Sequence, residues 1–183
     1  MQLQSSDRLL DIGCGTGIIA LALSPMVRSI HAIDVSPAIV KRARANLADV
    51  ANIRVDCGSI TAIPVEAGTA DKVLVYSVMQ YLPDANSARQ AFSEVARVLK
   101  PGGRALFAAN PDPDRMEAYL DHFVGPDPVR RAREFETQRD CLWLDQPTMR
   151  RLAEEVGMTA TTQTLHPRIR QHFYMFDLIA VKQ

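Results

Sequence analysis

The residues with the clearest chemical purpose stand almost at the start of the chain, in Asp11-Ile12-Gly13-Cys14-Gly15-Thr16-Gly17. Alternating glycines after an apolar run let backbone approach a ligand with no Cβ in the way, and they allow positive φ in the turn. An acid two residues ahead of the first glycine can hold the turn and face a cationic group on the ligand. The spacing speaks against a dinucleotide. A dinucleotide loop needs small residues at its first, third and sixth positions, and the sixth here is Ile18. A second acid, Asp34, follows about 20 residues on, where a carboxylate can accept hydrogen bonds from both ribose hydroxyls.

These residues need a particular scaffold. Arg8-Leu9-Leu10 reads as a short strand that runs through the glycine turn into a helix over Ile18–Leu23. Ser29–Asp34 reads as a second strand; Ser36 then caps a helix with Pro37 in its first turn. Asn52–Cys57 and Ala70–Ser77 are strands three and four. Ser87–Leu99 carries apolar residues at helical spacing and ends on Lys100-Pro101-Gly102-Gly103, from which Arg104–Ala109 makes a fifth strand. Strands alternating with helices imply a parallel sheet covered on both faces.

The glycine pattern, with Asp34 and the run Arg97-Val98-Leu99-Lys100-Pro101-Gly102-Gly103-Arg104, resembles the class I S-adenosylmethionine-dependent methyltransferases, closely over residues 7–109 and in outline beyond. The resemblance implies an α/β fold: a Rossmann-like doubly wound sheet of order 3-2-1-4-5-7-6, mostly parallel with an antiparallel last strand. It also implies S-adenosylmethionine as cofactor and S-adenosylhomocysteine as product. Carried over residue by residue, it makes Asp11, Gly13, Cys14, Gly15, Gly17, Asp34, Val35, Ser59, Ile60 and Tyr76 the cofactor-binding set. One position departs from the pattern. The family commonly places an acid against the adenine amino group, and Ser59 stands there instead, with Ile60 as the apolar neighbour of the ring. Asp56 lies inside the third strand and does not replace that acid. Cys14 reads as a small buried filler, since nothing near it in sequence would depress its pKa.

The second half bears on the methyl acceptor. Residues 110–141 form a long insertion of two helices, Asp114–Phe123 and Pro128 to about Gln138, broken by Gly125-Pro126-Asp127-Pro128. A helix over Gln146–Val156 and strands over Thr159–Leu165 and Phe173–Val181 complete one domain, 1–183, with the insertion expected as a lid over the active site. Ligands of open α/β sheets bind at the carboxyl ends of the parallel strands. Tyr76, Tyr81, Tyr119, His122, Trp143, His166, Arg168, Arg170 and His172 are therefore candidates to line the acceptor site. Among them Tyr81, Tyr119, Arg168 and Arg170 are expected to hold an anionic small molecule, and His172 or His122 to take its proton.

Composition narrows the partners. The 183 residues carry 21 cationic and 21 anionic side chains, a formal net charge of zero, which does not suit a nucleic-acid enzyme. Asn110-Pro111 lies after the fifth strand and is followed by Asp112, unlike the Asn-Pro-Pro-aromatic site of DNA adenine methyltransferases. Three cysteines without a Cys-x-x-Cys pattern point to thiols in a reducing, cytoplasmic compartment and to no metal site. No apolar run is long enough to span a membrane, and a monomer or homodimer is expected. Only six residues precede Asp7, where the family usually carries one or two helices. The insertion or a second subunit would then close the site, or the chain is a truncated, weakly catalytic S-adenosylmethionine-binding module. An oxidoreductase is disfavoured by Ile18. An aminopropyl transferase is disfavoured by the lack of acids after the fourth strand, where only Asp84 is found.

Overall fold

The computed structural model describes residues 1–183. Its centre is a seven-stranded sheet of order β3-β2-β1-β4-β5-β7-β6. The strands are β1 (Arg8–Ile12), β2 (Ser29–Asp34), β3 (Ile53–Cys57), β4 (Ala70–Tyr76), β5 (Leu99–Pro111), β6 (Met158–Thr164) and β7 (Met175–Lys182). β1 pairs in parallel with β2 and β4, β2 with β3, and β4 with β5; β7 runs antiparallel between β5 and β6. β1 and β4 are buried on both faces, so they read as nearly unbroken apolar runs rather than as alternation.

Six helices flank the sheet: α1 (Ile18–Leu23), α2 (Pro37–Asn46), α3 (Ala85–Val98), α4 (Met116–Phe123), α5 (Pro128–Arg139) and α6 (Gln146–Glu155). Their starts follow from capping chemistry. Ser36 Oγ accepts from the Ile39 amide, Asp84 from Ser87, Asp127 from Val129 and Arg130, and Asp145 from Thr148. One apolar layer packs α3 and α6 on the sheet, with Phe92 stacked on Phe107 at 4.4 Å. A smaller layer on the other face joins Ala20, Val40 and Ala43 to Leu9, Ile30, Ala32 and Val55.

Two differences from the sequence reading have physical causes. β5 begins at Leu99, not Arg104: Leu99 pairs with Ala70, and a register shift then absorbs the Lys-Pro-Gly-Gly segment as a bulge inside the strand. The insertion packs lightly. α5 buries no side chain, and it is tied to α4 through Arg131, which bonds Asp121 at 2.7 Å and also Glu117, and through Tyr119, which bonds Glu134 and Gln138.

Candidate active site

A cavity of about 480 Å³ lies at the carboxyl ends of the parallel strands. Gly13, Asp34, Val35, Ser59 and Ile60 line it, together with Tyr81. The glycine turn is fastened to the end of β2, because the amides of Gly13 and Cys14 both donate to the Ile33 carbonyl, at 2.7 and 3.0 Å. Gly13 has φ +72, and a Cβ there would lie 2.2 Å from Val78 Cγ2, so only glycine fits. Gly15, at φ +54, faces open space, room that a ligand can use.

Asp34 ends β2 with each carboxylate oxygen holding one backbone amide: Gly15 N–H donates to Oδ2 and Ser36 N–H to Oδ1, both at 3.0 Å. A carboxylate oxygen carries two lone pairs, so both remain able to accept from a pair of hydroxyls. Asp11, one residue from the end of β1, is 2 % exposed. Its Oδ2 is buried without a hydrogen-bond partner. Burial, with the Asp34 charge nearby, pushes its pKa up to about 7. An orphaned buried carboxylate beside the loop suits a ligand ammonium. The two carboxylate oxygens of Asp34 for hydroxyls, an unpartnered carboxylate for an ammonium and an open glycine together fit S-adenosylmethionine.

Other cofactor-side residues take more local roles. Ser59 Oγ hydrogen-bonds Thr61 Oγ1 at 2.8 Å and accepts from the Thr61 amide at 3.2 Å, so its hydroxyl is engaged in its own turn. Ile60 lines the cavity and belongs to the core. Asp56 faces away, held by His31 at 2.9 Å with Arg44 and Arg54, so the family's missing acid is not restored from that side. Cys14 is buried, and its thiol is pushed up to about 12 by burial and then by Asp11 and Asp34; it is no nucleophile at neutral pH. Cys14, Gly15, Gly17, Tyr76 and Asp11 do not line the cavity. Gly17 packs tightly on Leu47, and Tyr76 is half-exposed at the end of β4.

Sequence reasoning named neither Ser77 nor Val78 as a site residue, although the loop they open follows β4 at the carboxyl edge. Both line the cavity, and Ser77 holds φ 56, a left-handed conformation that a non-glycine residue adopts at a cost. Gln80 Nε2 donates to Ser77 Oγ at 2.7 Å. No motif marks Ser77; the only signal was its place after a β-branched strand.

The acceptor candidates divide. Tyr81, 75 % exposed, reaches the cofactor cavity. No residue of 110–141 lines that cavity; the insertion instead roofs a second one, of about 690 Å³, with Tyr119, Phe123, Arg130, Arg133 and Tyr174 in its lining. Arg130 and Arg133, both exposed on α5, line this cavity. Tyr119 donates to Glu134 at 2.7 Å; its own pKa is raised by burial and by that contact. Tyr174 is buried, which raises its pKa, and its other electrostatic neighbours are Arg170, Tyr76 and Tyr81. Arg170 lies over the Phe123 ring at 5.3 Å. Arg168 and His166 are exposed on the β6–β7 connection, and Arg168 N donates to His166 Nδ1. His172 is exposed with Nδ1 against the Ile169 carbonyl, and His122 is exposed and packs on Phe123 and Phe173. Neither histidine lines either cavity, because each ring is spent on the surface of the insertion and the hairpin connection. Asn110 is buried inside β5, donating to the carbonyls of Phe107 and Phe176, a structural role.

A doubly wound sheet of this order, with its cavity at the glycine turn and an acid at the end of β2, defines a class I α/β methyltransferase architecture. The comparisons agree. Residues 9–103 match the family model described as a methyltransferase domain, and the chain belongs to that family, whose cofactor is S-adenosylmethionine. The chain is 33 % identical over 128 residues to an uncharacterized methyltransferase, YcgJ, of Bacillus subtilis, covering 69 % of this chain and 45 % of that protein. It is 31 % identical over 134 residues to a protein-L-isoaspartate O-methyltransferase of Rhodopseudomonas palustris, covering 72 % and 58 %. The crystal structure of the B. subtilis YcgJ protein superposes with a TM-score of 0.73 at 19 % identity, over 100 % of this chain and 94 % of that one. That likeness shows the fold. The chain spans between about a third and three fifths of the length of the first curated relatives it matches.

Proposed function

We propose that the chain transfers a methyl group from S-adenosylmethionine to a small-molecule acceptor. The observation that carries this reading is the meeting of Asp34 and Gly13 at one cavity at the carboxyl edge of the sheet, with the buried, unpartnered Asp11 carboxylate behind the glycine turn. When bound, the cofactor supplies a methyl group on an activated sulfonium, open to in-line displacement by an acceptor oxygen, nitrogen or carbon. Asp34 takes the ribose hydroxyls and Asp11 the ammonium. Val35, Ser59 and Ile60 flank the base. Because the methyl donor is activated already, the chain's work is alignment and exclusion of water, which can supply several orders of magnitude in rate. Tyr81 shields the cofactor cavity, and Tyr119 with Arg170 borders the acceptor side. With both candidate histidines outside the cavities, the acceptor proton passes to solvent.

The balanced surface charge supports a small acceptor rather than nucleic acid. No helix is long and apolar enough to cross a membrane. Size-exclusion chromatography distinguishes the monomer from the homodimer, both compatible with this reading. One observation favours a second reading, a binding module with weak turnover: no residue of the insertion lines the cofactor cavity. Calorimetry with S-adenosylhomocysteine and NAD, followed by labelled methyl uptake from S-adenosylmethionine across a metabolite panel, tests both. Tighter NAD binding overturns the methyltransferase reading. Cofactor binding without uptake into any metabolite favours the module.

A further inference from the structure

The second cavity has a composition that the cofactor does not explain. Its floor is aromatic: Tyr119 and Tyr174 meet edge to face at 5.1 Å, and Phe123 stands 5.8 Å from Tyr174, nearly perpendicular to it. Rings arranged this way present both faces and edges to a further ring. Arg130 and Arg133 stand on the other side, and neither has an ion-pair partner, whereas the neighbouring Arg131 is paired twice. The one carboxylate in the lining, Glu134, is already engaged by Tyr119 and Gln138, at 2.7 and 2.8 Å. Those two hydrogen bonds hold its carboxyl below the usual range, so it stays ionised, and two arginines against one carboxylate leave the lining net positive. The volume, about 690 Å³, falls within the range of small-molecule sites. At the end of β5 the Asp112 amide donates to the Tyr174 carbonyl, and the Ala108 carbonyl of the same strand accepts from Ser77, which lines the cofactor cavity, so the two cavities open at neighbouring levels of one sheet edge.

We propose that this cavity receives a planar aromatic acceptor bearing a carboxylate or similar anionic group. Its ring lies against Tyr119, Phe123 and Tyr174, and its charge is met by Arg130 and Arg133. The inference rests on the methyltransferase reading for its role but not for its binding test. The chain carries its own reporter: Trp143, the single tryptophan, is 5.7 Å from Tyr119 and stacks on Tyr174 at 6.2 Å.

The test titrates the whole chain, saturated with S-adenosylhomocysteine, with benzoate, benzamide, benzylamine and hexanoate, following Trp143 fluorescence. Benzoate is expected to bind saturably and more tightly than the other three. Arg130→Ala with Arg133→Ala is expected to weaken benzoate at least about tenfold, the loss of one charge-assisted hydrogen bond, while benzamide and S-adenosylhomocysteine binding hold. Both arginines are exposed, and the single variants serve if the double variant does not fold. Equal binding of benzoate and benzamide, preference for benzylamine or hexanoate, absence of a saturable signal, or indifference to the arginine variants each overturns the proposal. Failure of S-adenosylhomocysteine to bind the wild-type chain overturns the methyltransferase reading instead, and the two failures are separately visible.

Discussion

Replacing Asp11 by asparagine separates what the fold tolerates from what the ligand needs. The Asp11 carboxyl has its pKa raised from 3.8 to about 7 by burial and then by Asp34. A folded-state pKa above the unfolded one means that the native chain holds a proton the unfolded chain has released. Stability therefore falls as pH rises from about 4 to about 7, and the cost is complete above 7. A shift of roughly three units at 1.36 kcal/mol each sets that cost on the order of 4 kcal/mol. Asparagine carries no charge and avoids it. The advantage of Asp11→Asn over wild type in denaturant melts should be smallest near pH 3, intermediate at pH 5 and largest at pH 8.5; other titrations cancel in the difference. The ligand reverses the ranking. Asp11→Asn should weaken S-adenosylhomocysteine by roughly 1.5–3 kcal/mol, the value of a hydrogen bond to a charged group. It should leave 5′-methylthioadenosine, which lacks the ammonium, unaffected. A stability difference that does not change between pH 5 and 8.5, or equal losses for both ligands, refutes the reasoning.

Asp34→Ala should weaken S-adenosylhomocysteine by at least roughly 1.5–3 kcal/mol in calorimetry, since it removes the hydroxyl acceptor and frees the Gly15 and Ser36 amides together. Gly15→Val should abolish ligand binding by filling the open space beside the turn, with near-normal helix content by circular dichroism but a lower melting temperature, since φ +54 disfavours a β-branched residue. Gly13→Ala should lower the melting temperature outright through its clash with Val78. Ser59→Asp should leave affinity unchanged or higher, the acid taking over the Thr61 amide that Ser59 now holds. Ile60→Ala, at a core position, should cost roughly 2–5 kcal/mol in stability as well as affinity, so urea melts must accompany its binding data.

The sheet was legible because its signals are local. Leu9-Leu10 before the glycines, Asp34 at a strand end and Ser36-Pro37 at a helix start each report backbone geometry within a few residues. The order of the strands came from resemblance, and the sheet has it. Long-range facts were not legible. β5 starts five residues earlier than its turn residues suggest, because pairing of Leu99 with Ala70 outweighs the Lys-Pro-Gly-Gly signal. His122 and His172 carry the residue type for a base, yet residue type says nothing about which way a loop turns, and both rings lie on the surface. Arg130 and Arg133 were hidden by the opposite problem: interleaved with apolar residues at helical spacing, they look like a solvated face until Tyr119 and Tyr174 join them around one cavity.

The two non-glycine residues with left-handed backbone beyond the N-terminal segment connect these observations. Ser77 follows β4 and Ala109 lies near the end of β5, each at φ 56, and the Ser77 amide donates to the Ala108 carbonyl at 2.9 Å. Adjacent strands thus turn at neighbouring levels. The first turn presents Ser77 and Val78 to the cofactor cavity. The second coincides with the register break between Phe107 and Asn110, after which β5 pairs with Phe176 and Met175. Asp177 holds the Ala109 amide at 2.9 Å and fixes the second turn. Strain of this kind persists only when surrounding contacts over-determine it. At Ser77 the contact is Gln80, a residue otherwise buried with an unpartnered Oε1. Ser77→Gly should therefore raise stability by relieving the strained φ, and Gln80→Leu should disorder the turn and reduce cofactor affinity. If Ser77→Gly instead lowers the melting temperature, the hydroxyl contributes more to the fold than the backbone conformation costs, and the turn is held for stability rather than for the site.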